Sequence, residues 1–301
     1  MTESQSHENQ IPALKLWLLG ARPRTLPAAV VPVLVGAALA VGTAHPVWWR
    51  IALALVVSLS LQVGVNYAND YSDGVKGTDA VRVGPVRLVG SGLVAPKLVK
   101  RAAVLSFGFA AVCGLVLSLA TSPWLLFVGV CAIAAGWTYT GGPRPYGYLG
   151  LGEIFVFIFF GVVATLGSAY VVGEELTSAM WISCVPVGCF ACALLVVNNL
   201  RDIPTDSKVG KNTLAVRLGD ARTRQFFVFL YVLSAAFVVA VAIQKPAAIL
   251  GLLGIASAGG AVRAVRGGAS GRDLIAVLGA TGKAQLIFGV LFSLGLLIAN
   301  R

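Results

Sequence analysis

The stretch IALALVVSLSLQVGVNYANDYSD, residues 51–73, runs for nineteen residues without a charged side chain and then sets Asp70 and Asp73 three apart. A run of that kind belongs in lipid, where a helix satisfies every backbone amide internally. Carboxylates are costly beside lipid, so the end of the run poses the functional question. Within NYANDYSDGVKGTD, residues 66–79, Lys76 is the only cation against Asp70, Asp73 and Asp79. Positive charge has to come from elsewhere in the chain or from a bound ion.

The rest of the 301-residue chain has the same character. It is 57% hydrophobic and 12% charged, about half the charged fraction of an ordinary soluble domain. The apolar residues fall in blocks close to the ~20 needed to cross a bilayer. Nine spans are predicted, over 26–43, 49–66, 102–120, 123–138, 154–172, 181–199, 226–243, 246–262 and 284–299, the eighth being Gly-rich. The expected fold class is an all-α membrane protein of about nine transmembrane helices. A polar, disordered tail is expected over 1–12 and a single transmembrane domain over 13–301. No cleavable signal is evident, because the first apolar run is long enough to remain as an anchor.

Basic residues set the orientation. With the N-terminus and the loops after spans two, four, six and eight on one side, that side collects 20 of the 23 Lys and Arg residues. The other side keeps Arg50, Lys245 and Arg301, together with Glu174 and Glu175. The rich side is cytoplasmic by the positive-inside rule. Topology beside anionic lipid thus covers most of the net charge of +11 and calls for no nucleic acid. The five cysteines all lie inside predicted spans with no neighbouring histidine or carboxylate, and read as inert buried thiols.

A second acidic stretch, NNLRDIPTDSKVGKNTLAVRLG, residues 198–219, follows the sixth span. The pair Asn66 and Asp70 recurs 132 residues later as Asn198 and Asp202, each pair four apart at the end of an even-numbered span. This weak internal repeat suggests two similar helical halves facing each other. At that spacing each Asn shares a helix face with its Asp, and Asp70 and Asp73 share one too. Pro204 is expected to interrupt the helix before Asp206. Asp70, Asp73, Asp202 and Asp206 thereby gather at one membrane surface, with Asp79 as a fifth candidate. Among them stand Lys76, Arg82, Arg87, Arg201, Lys208 and Lys211. Acids alone would repel one another, and cations alone would make a simple anion site. The mixture suits divalent cations, Mg²⁺ above all, bridging carboxylates to a diphosphate whose remaining oxygens meet Lys and Arg. An ion transporter fits less well, since its carboxylates would sit near mid-bilayer in broken helices.

The motifs NYANDYSD and DIPTD, after the second and sixth of nine spans, resemble the two Asp boxes of the UbiA-type intramembrane prenyltransferases. ARPRTLP, RVGPVRLVGSG, YTGGPRPYGYLGLGE and the stretch 198–219 resemble more narrowly the branch that prenylates 1,4-dihydroxy-2-naphthoate in menaquinone biosynthesis. The similarity runs from about Ala21 to the ninth span, and it implies a UbiA-like bundle with a cytoplasm-facing site in the cell membrane. It also implies Mg²⁺, a polyprenyl diphosphate donor, and release of the ring carboxylate as CO₂ to give demethylmenaquinone. One departure stands out: the family's last box aspartate would fall at position 77, where this chain has Gly77, with Asp79 the next acid.

By that resemblance Asp70, Asp73, Asp202 and Asp206, with Asp79, are assigned to metal. Lys76, Arg87, Arg201, Lys208 and Lys211 are assigned to the diphosphate, and Asn66, Asn69 and Asn198 to orienting ligands. In the loop 139–153, Tyr139 is expected to flank the allylic cation, as its aromatic face attracts positive charge; Tyr146 and Tyr148 could also belong to an interfacial aromatic belt. Arg144 is a candidate partner for a phosphate or for the naphthoate carboxylate. Glu153 is read as capping the fifth span, and Arg22 and Arg24 as snorkelling anchors. The prenyl tail needs an apolar cavity, and the glycines within spans permit the close helix packing around it. The alternative acceptors within the same superfamily are 4-hydroxybenzoate, homogentisate or a sugar phosphate.

Overall fold

The computed structural model describes residues 12–78, 84 and 86–300. The tail expected over 1–12 lies, apart from Pro12, outside the described residues, and so does Asp79. Every regular element is helical: α1 (Ala13–Ala21), α2 (Pro27–Ala40), α3 (Trp49–Lys76), α4 (Pro96–Ala120) and α5 (Trp124–Thr138) precede a loop with one 3₁₀ turn, Tyr146–Leu149. Then come α6 (Gly152–Val156), a π-helical segment (Phe157–Val163), α7 (Ala164–Gly173), α8 (Ser178–Asp206) and α9 (Leu214–Gln244). The chain closes with α10 (Gly251–Ala256), α11 (Gly259–Arg266) and α12 (Asp273–Ala299).

This is a multi-pass membrane protein, and among the described residues six to eight of the nine expected spans meet the length and composition of a crossing helix. Six helices are long and apolar enough to cross alone, and eight if each bent pair is one span. The first predicted span lies on α2, which α1 and a short turn join at a bend of 54°. The eighth is a pair bent by 44° between Pro246–Ala256 and Gly259–Arg266. The fourth is α5, 15 residues long, or about 22 Å at helical rise against a hydrocarbon core of about 30 Å. Apolar composition marks these segments, but composition alone does not reveal a bend or a short axis.

Two helix pairs dominate the packing, α3 against α4 and α8 against α9, and α12 and α7 both pack on α2. Helix α8 is the central column: 78% of its most apolar window is buried, against 33% for α3, α4 and α9. It runs unbroken through Pro204 to Asp206, against the expected interruption. The proline stands two residues from the helix end, so the amide it lacks and the clash it imposes fall in the last turn. The lipid-side surfaces of α4 and α5 carry exposed Leu105, Phe109, Leu119, Trp124 and Phe127, as a bilayer solvent requires.

Small residues set how closely the π segment approaches α8. A Cβ on Gly161 would lie 2.6 Å from the Gly188 Cα, and one on Gly188 would lie 2.7 Å from the Phe157 ring. The backbones therefore touch where any side chain would part them. Gly161→Val is expected to destabilise the detergent-solubilised protein by roughly 1–3 kcal/mol through overpacking. Gly108→Val on α4, where nothing lies within 4 Å of the added carbon, should leave the unfolding temperature nearly unchanged.

Candidate active site

Both acidic boxes end helices. Asp73 lies in the last turn of α3, whose chain then turns at Gly77 in a left-handed conformation (φ 72°), and Asp206 is the last residue of α8. The carboxylates thus sit where each helix already presents the negative end of its dipole. A cation is the natural complement. Between the two helices opens a cavity of about 690 Å³. Its polar end carries Asn66, Asn69, Asp73, Arg87, Asn198, Asn199, Asp202, Asp206 and Lys211; its other end is walled by Ala54, Val57, Leu117, Leu125 and Val171.

Asp73 is held from two directions. Its Oδ1 accepts from the Tyr148 hydroxyl at 2.7 Å and its Oδ2 from Lys211 Nζ at 3.0 Å. Lys211 lies 4.8 Å above the Tyr148 ring, with Lys76 5.0 Å from the same ring. Lys211 comes from the second half of the chain and Asp73 from the first, so this ion pair joins the two boxes. The Lys76 ammonium donates to the Thr140 and Gly142 carbonyl oxygens at 2.7 and 3.3 Å, which ties the loop bearing Tyr148 to the end of α3. Asn69 Oδ1 accepts from the Thr140 hydroxyl at 2.7 Å. Asn66 donates to the Ala21 carbonyl and to Thr25 Oγ1, at 2.9 and 3.1 Å.

Asp70 departs from its expected role as a metal ligand. It is fully buried, does not line the cavity, and its two oxygens accept from the Leu88 and Val89 amides at 2.8 and 2.9 Å. It fixes the turn after Arg87, and so places Arg87, which is buried and lines the cavity. Gly74 lets that turn rest on α3, since a side chain there would strike Val89. Arg201 also differs: its guanidinium is fully buried and grips its neighbour Asp202 through two bonds of 2.8 Å. Lys208 and Arg144 are exposed and outside the cavity wall. Among the described residues no three His, Cys, Asp or Glu side chains stand close enough together to hold one ion.

The loop 139–151 covers the cavity. The Tyr139 ring packs edge-on against Tyr146 at 5.4 Å, and Tyr146 stacks on Phe155 at 4.0 Å. Burial raises the Tyr139 hydroxyl well above its ordinary pKa, with the nearby Glu153 charge adding to it, and burial raises Tyr146 too. Both hydroxyls stay protonated at neutral pH.

Several residues at the site gave little sign of it in sequence. Arg22, read as an anchor, lines the cavity in a left-handed conformation (φ 53°) and donates to the Asn66 carbonyl oxygen at 3.3 Å. Glu153, read as capping the fifth span, stands in the first turn of α6 as expected, but its Oε1 also accepts from Asn199 Nδ2 at 2.9 Å. Asn199 reaches the cavity beside the expected Asn198. The doubled asparagine in NNLRD was the available signal.

The model of the UbiA prenyltransferase family matches residues 29–278. The chain belongs to the UbiA prenyltransferase family. It is 48% identical over 274 residues, 91% of this chain and 94% of the relative, to a 1,4-dihydroxy-2-naphthoate octaprenyltransferase of Mycobacterium tuberculosis. It is 40% identical over 233 residues, 73% of each chain, to the enzyme of the same name from Escherichia coli. Its fold is similar to that of a UbiA homolog from Archaeoglobus fulgidus bound to GPP and Mg²⁺, with a TM-score of 0.67, 14% identity, and 92% and 99% of the two chains covered. As a UbiA-family chain it carries its two Asp boxes on α3 and α8, bordering one cavity.

The two aspartates of the first box should separate by experiment. Asp73→Asn is expected to lower turnover by roughly 10²-fold or more, as when a group facing developing charge is removed. Asp70→Asn should lower it by roughly 10–100-fold, as for a supporting residue, and also destabilise the protein by about 1–3 kcal/mol, because one buried amide loses its acceptor. Turnover and thermal unfolding of the two purified variants check both.

Proposed function

We propose that the protein transfers a polyprenyl group from a polyprenyl diphosphate to 1,4-dihydroxy-2-naphthoate, releasing diphosphate and CO₂ and giving demethylmenaquinol, the reduced form of demethylmenaquinone. The observation that carries this reading is the meeting of Asp73, Asp202 and Asp206, from the ends of two helices, on a cavity whose other end is apolar. Such a cavity takes a molecule that is anionic at one end and hydrocarbon at the other. The acceptor is suggested by the names of the relatives, and the diphosphate and metal by what the Archaeoglobus homolog binds.

The residues fit Mg²⁺. They offer hard carboxylate oxygens at two negative helix ends, with cations beside them for the phosphate oxygens. Asp73 from the first box, and Asp202 and Asp206 from the second, would hold Mg²⁺ ions shared with the diphosphate rather than a single ion held by three carboxylates, with Asp79 of the first box assigned to metal from sequence. Bound there, Mg²⁺ supplies charge neutralisation for the departing diphosphate. Arg87 and Lys211 bind diphosphate oxygens from the cavity wall. Lys211, which pairs with Asp73, would be placed to meet a phosphate oxygen beside it. Asn66, Asn69 and Asn198 orient the bound groups, while Lys76 keeps the loop with Tyr148 in place. The Tyr139 ring offers its face to the allylic cation and shields it from water. The electron-rich ring attacks, and loss of CO₂ restores aromaticity.

The same reading puts the N-terminus and the site on the cytoplasmic side of the cell membrane, with all nine segments crossing. The distribution of 20 of 23 basic residues supports it. A second reading keeps the chemistry and changes the acceptor to 4-hydroxybenzoate, homogentisate or a sugar phosphate.

Purified protein in liposomes, given dihydroxynaphthoate and a polyprenyl diphosphate, should form demethylmenaquinol, read as demethylmenaquinone after oxidation in air, with Mg²⁺ and none with EDTA. Product from 4-hydroxybenzoate alone would overturn the acceptor and keep the mechanism. No product from any aromatic acceptor would overturn the mechanism.

A further inference from the structure

Glu153 sits where a carboxylate is hard to explain by stability. It is 5% exposed, in the first turn of α6, and one oxygen, Oε2, is buried with no hydrogen-bond partner among the described residues. A buried carboxylate left half-satisfied weakens a fold. Such groups point to a role at a site. Its other oxygen holds one partner, the amide of Asn199 on α8, at 2.9 Å. Glu153 itself does not line the cavity, whereas Asn199 does.

The chemistry of that bond sets a direction. The carboxyl oxygen Oε1 accepts from the NH₂ end of the Asn199 amide, and that bond fixes which end faces away. Asn199 Nδ2 is committed to Glu153, which leaves the carbonyl oxygen Oδ1 for the cavity. Tyr139, whose hydroxyl stays protonated, borders the same wall and packs beside Gly152, the residue before Glu153. The wall thus carries a neutral acceptor and a neutral donor. That pairing suits an uncharged hydroxyl and does not suit a diphosphate oxygen.

We propose that Glu153 is a positioning residue for the aromatic acceptor: by pinning the NH₂ of Asn199 it makes Asn199 present its carbonyl oxygen to a ring hydroxyl of that substrate. The proposal rests on the reading of the protein as an aromatic prenyltransferase and adds to it how the ring is recognised. Glu153 acts through Asn199 and makes no contact with the substrate.

The test is Glu153→Gln. Glutamine is close in size, yet its own NH₂ can donate to Asn199 and turn the asparagine amide over, so the cavity meets a donor in place of an acceptor. The KM for dihydroxynaphthoate should rise roughly ten-fold, the loss of about one hydrogen bond. The KM for the polyprenyl diphosphate and the unfolding temperature should hold. The exchanged pair Glu153→Gln with Asn199→Asp restores a carboxylate–amide bond with an acceptor oxygen toward the cavity, and should recover most of the acceptor KM. An unchanged acceptor KM in Glu153→Gln would overturn the proposal. So would an equal rise in both KM values, or a fall in stability that the exchanged pair does not repair. If the wild-type protein prenylates no aromatic acceptor, the underlying reading falls and the proposal with it; normal wild-type turnover with an indifferent Glu153→Gln fells the proposal alone.

Discussion

Two helices, α3 and α8, end with their acidic residues bordering one small volume, and each brings the negative end of its dipole with it. Carboxylates so placed repel one another and raise the energy of the folded chain unless positive charge joins them. Much of the local architecture follows from that constraint. Lys211 crosses from the second half to Asp73, Arg201 folds back on Asp202, and Arg87 is set in the wall by a turn that Asp70 holds. The protein meets these carboxylates with its own cations.

The remainder of the fold keeps this polar end joined to an apolar one. The central position of α8 fixes Asn198, Asn199, Asp202 and Asp206 on a rigid column, and close contact through Gly161 and Gly188 seats the π segment against it. At the far end Arg50 donates to the Val171 and Ala120 carbonyl oxygens and pairs with Glu174, so that one guanidinium gathers the ends of α3, α4 and α7. Ala54, Leu117 and Val171 of the apolar wall lie about one turn or less from that clamp. The cavity is therefore tied at both ends by cations that bridge helices distant in sequence.

Much of this was legible in the sequence, for reasons that are themselves physical. Long uncharged runs mark helices in lipid, and acids at the ends of two such runs, repeated at equal spacing, mark a shared site. That reasoning gathered Asp73, Asp202 and Asp206, the family resemblance added Asn66, Asn69, Asn198, Tyr139 and Lys211, and all of them border one cavity. What it missed depends on side-chain partners that spacing does not encode. The motif gave Asp70 and Asp73 equal standing, and only the packed turn at Leu88 and Val89 separates them. Arg201 looked like a phosphate ligand until its guanidinium was seen to be taken up by Asp202. Glu153 was read correctly as an acid in a first helical turn, but its partner Asn199 is 46 positions away and left no mark in the spacing. Bends are equally silent: the first and eighth segments read as single spans, since a change of axis alters no residue's hydropathy.

The most direct test of the central claim is calorimetric titration of the detergent-solubilised protein with an uncleavable prenyl thiolodiphosphate, with Mg²⁺ or with EDTA. It would compare wild type with Asp73→Asn, Asp202→Asn and Asp206→Asn. A single shared site predicts tight binding to wild type only with Mg²⁺. It also predicts that variants in either box fall to the wild-type EDTA level, with no further loss when boxes are combined. Binding that is as tight in EDTA as in Mg²⁺, or losses from the two boxes that simply add, would contradict it.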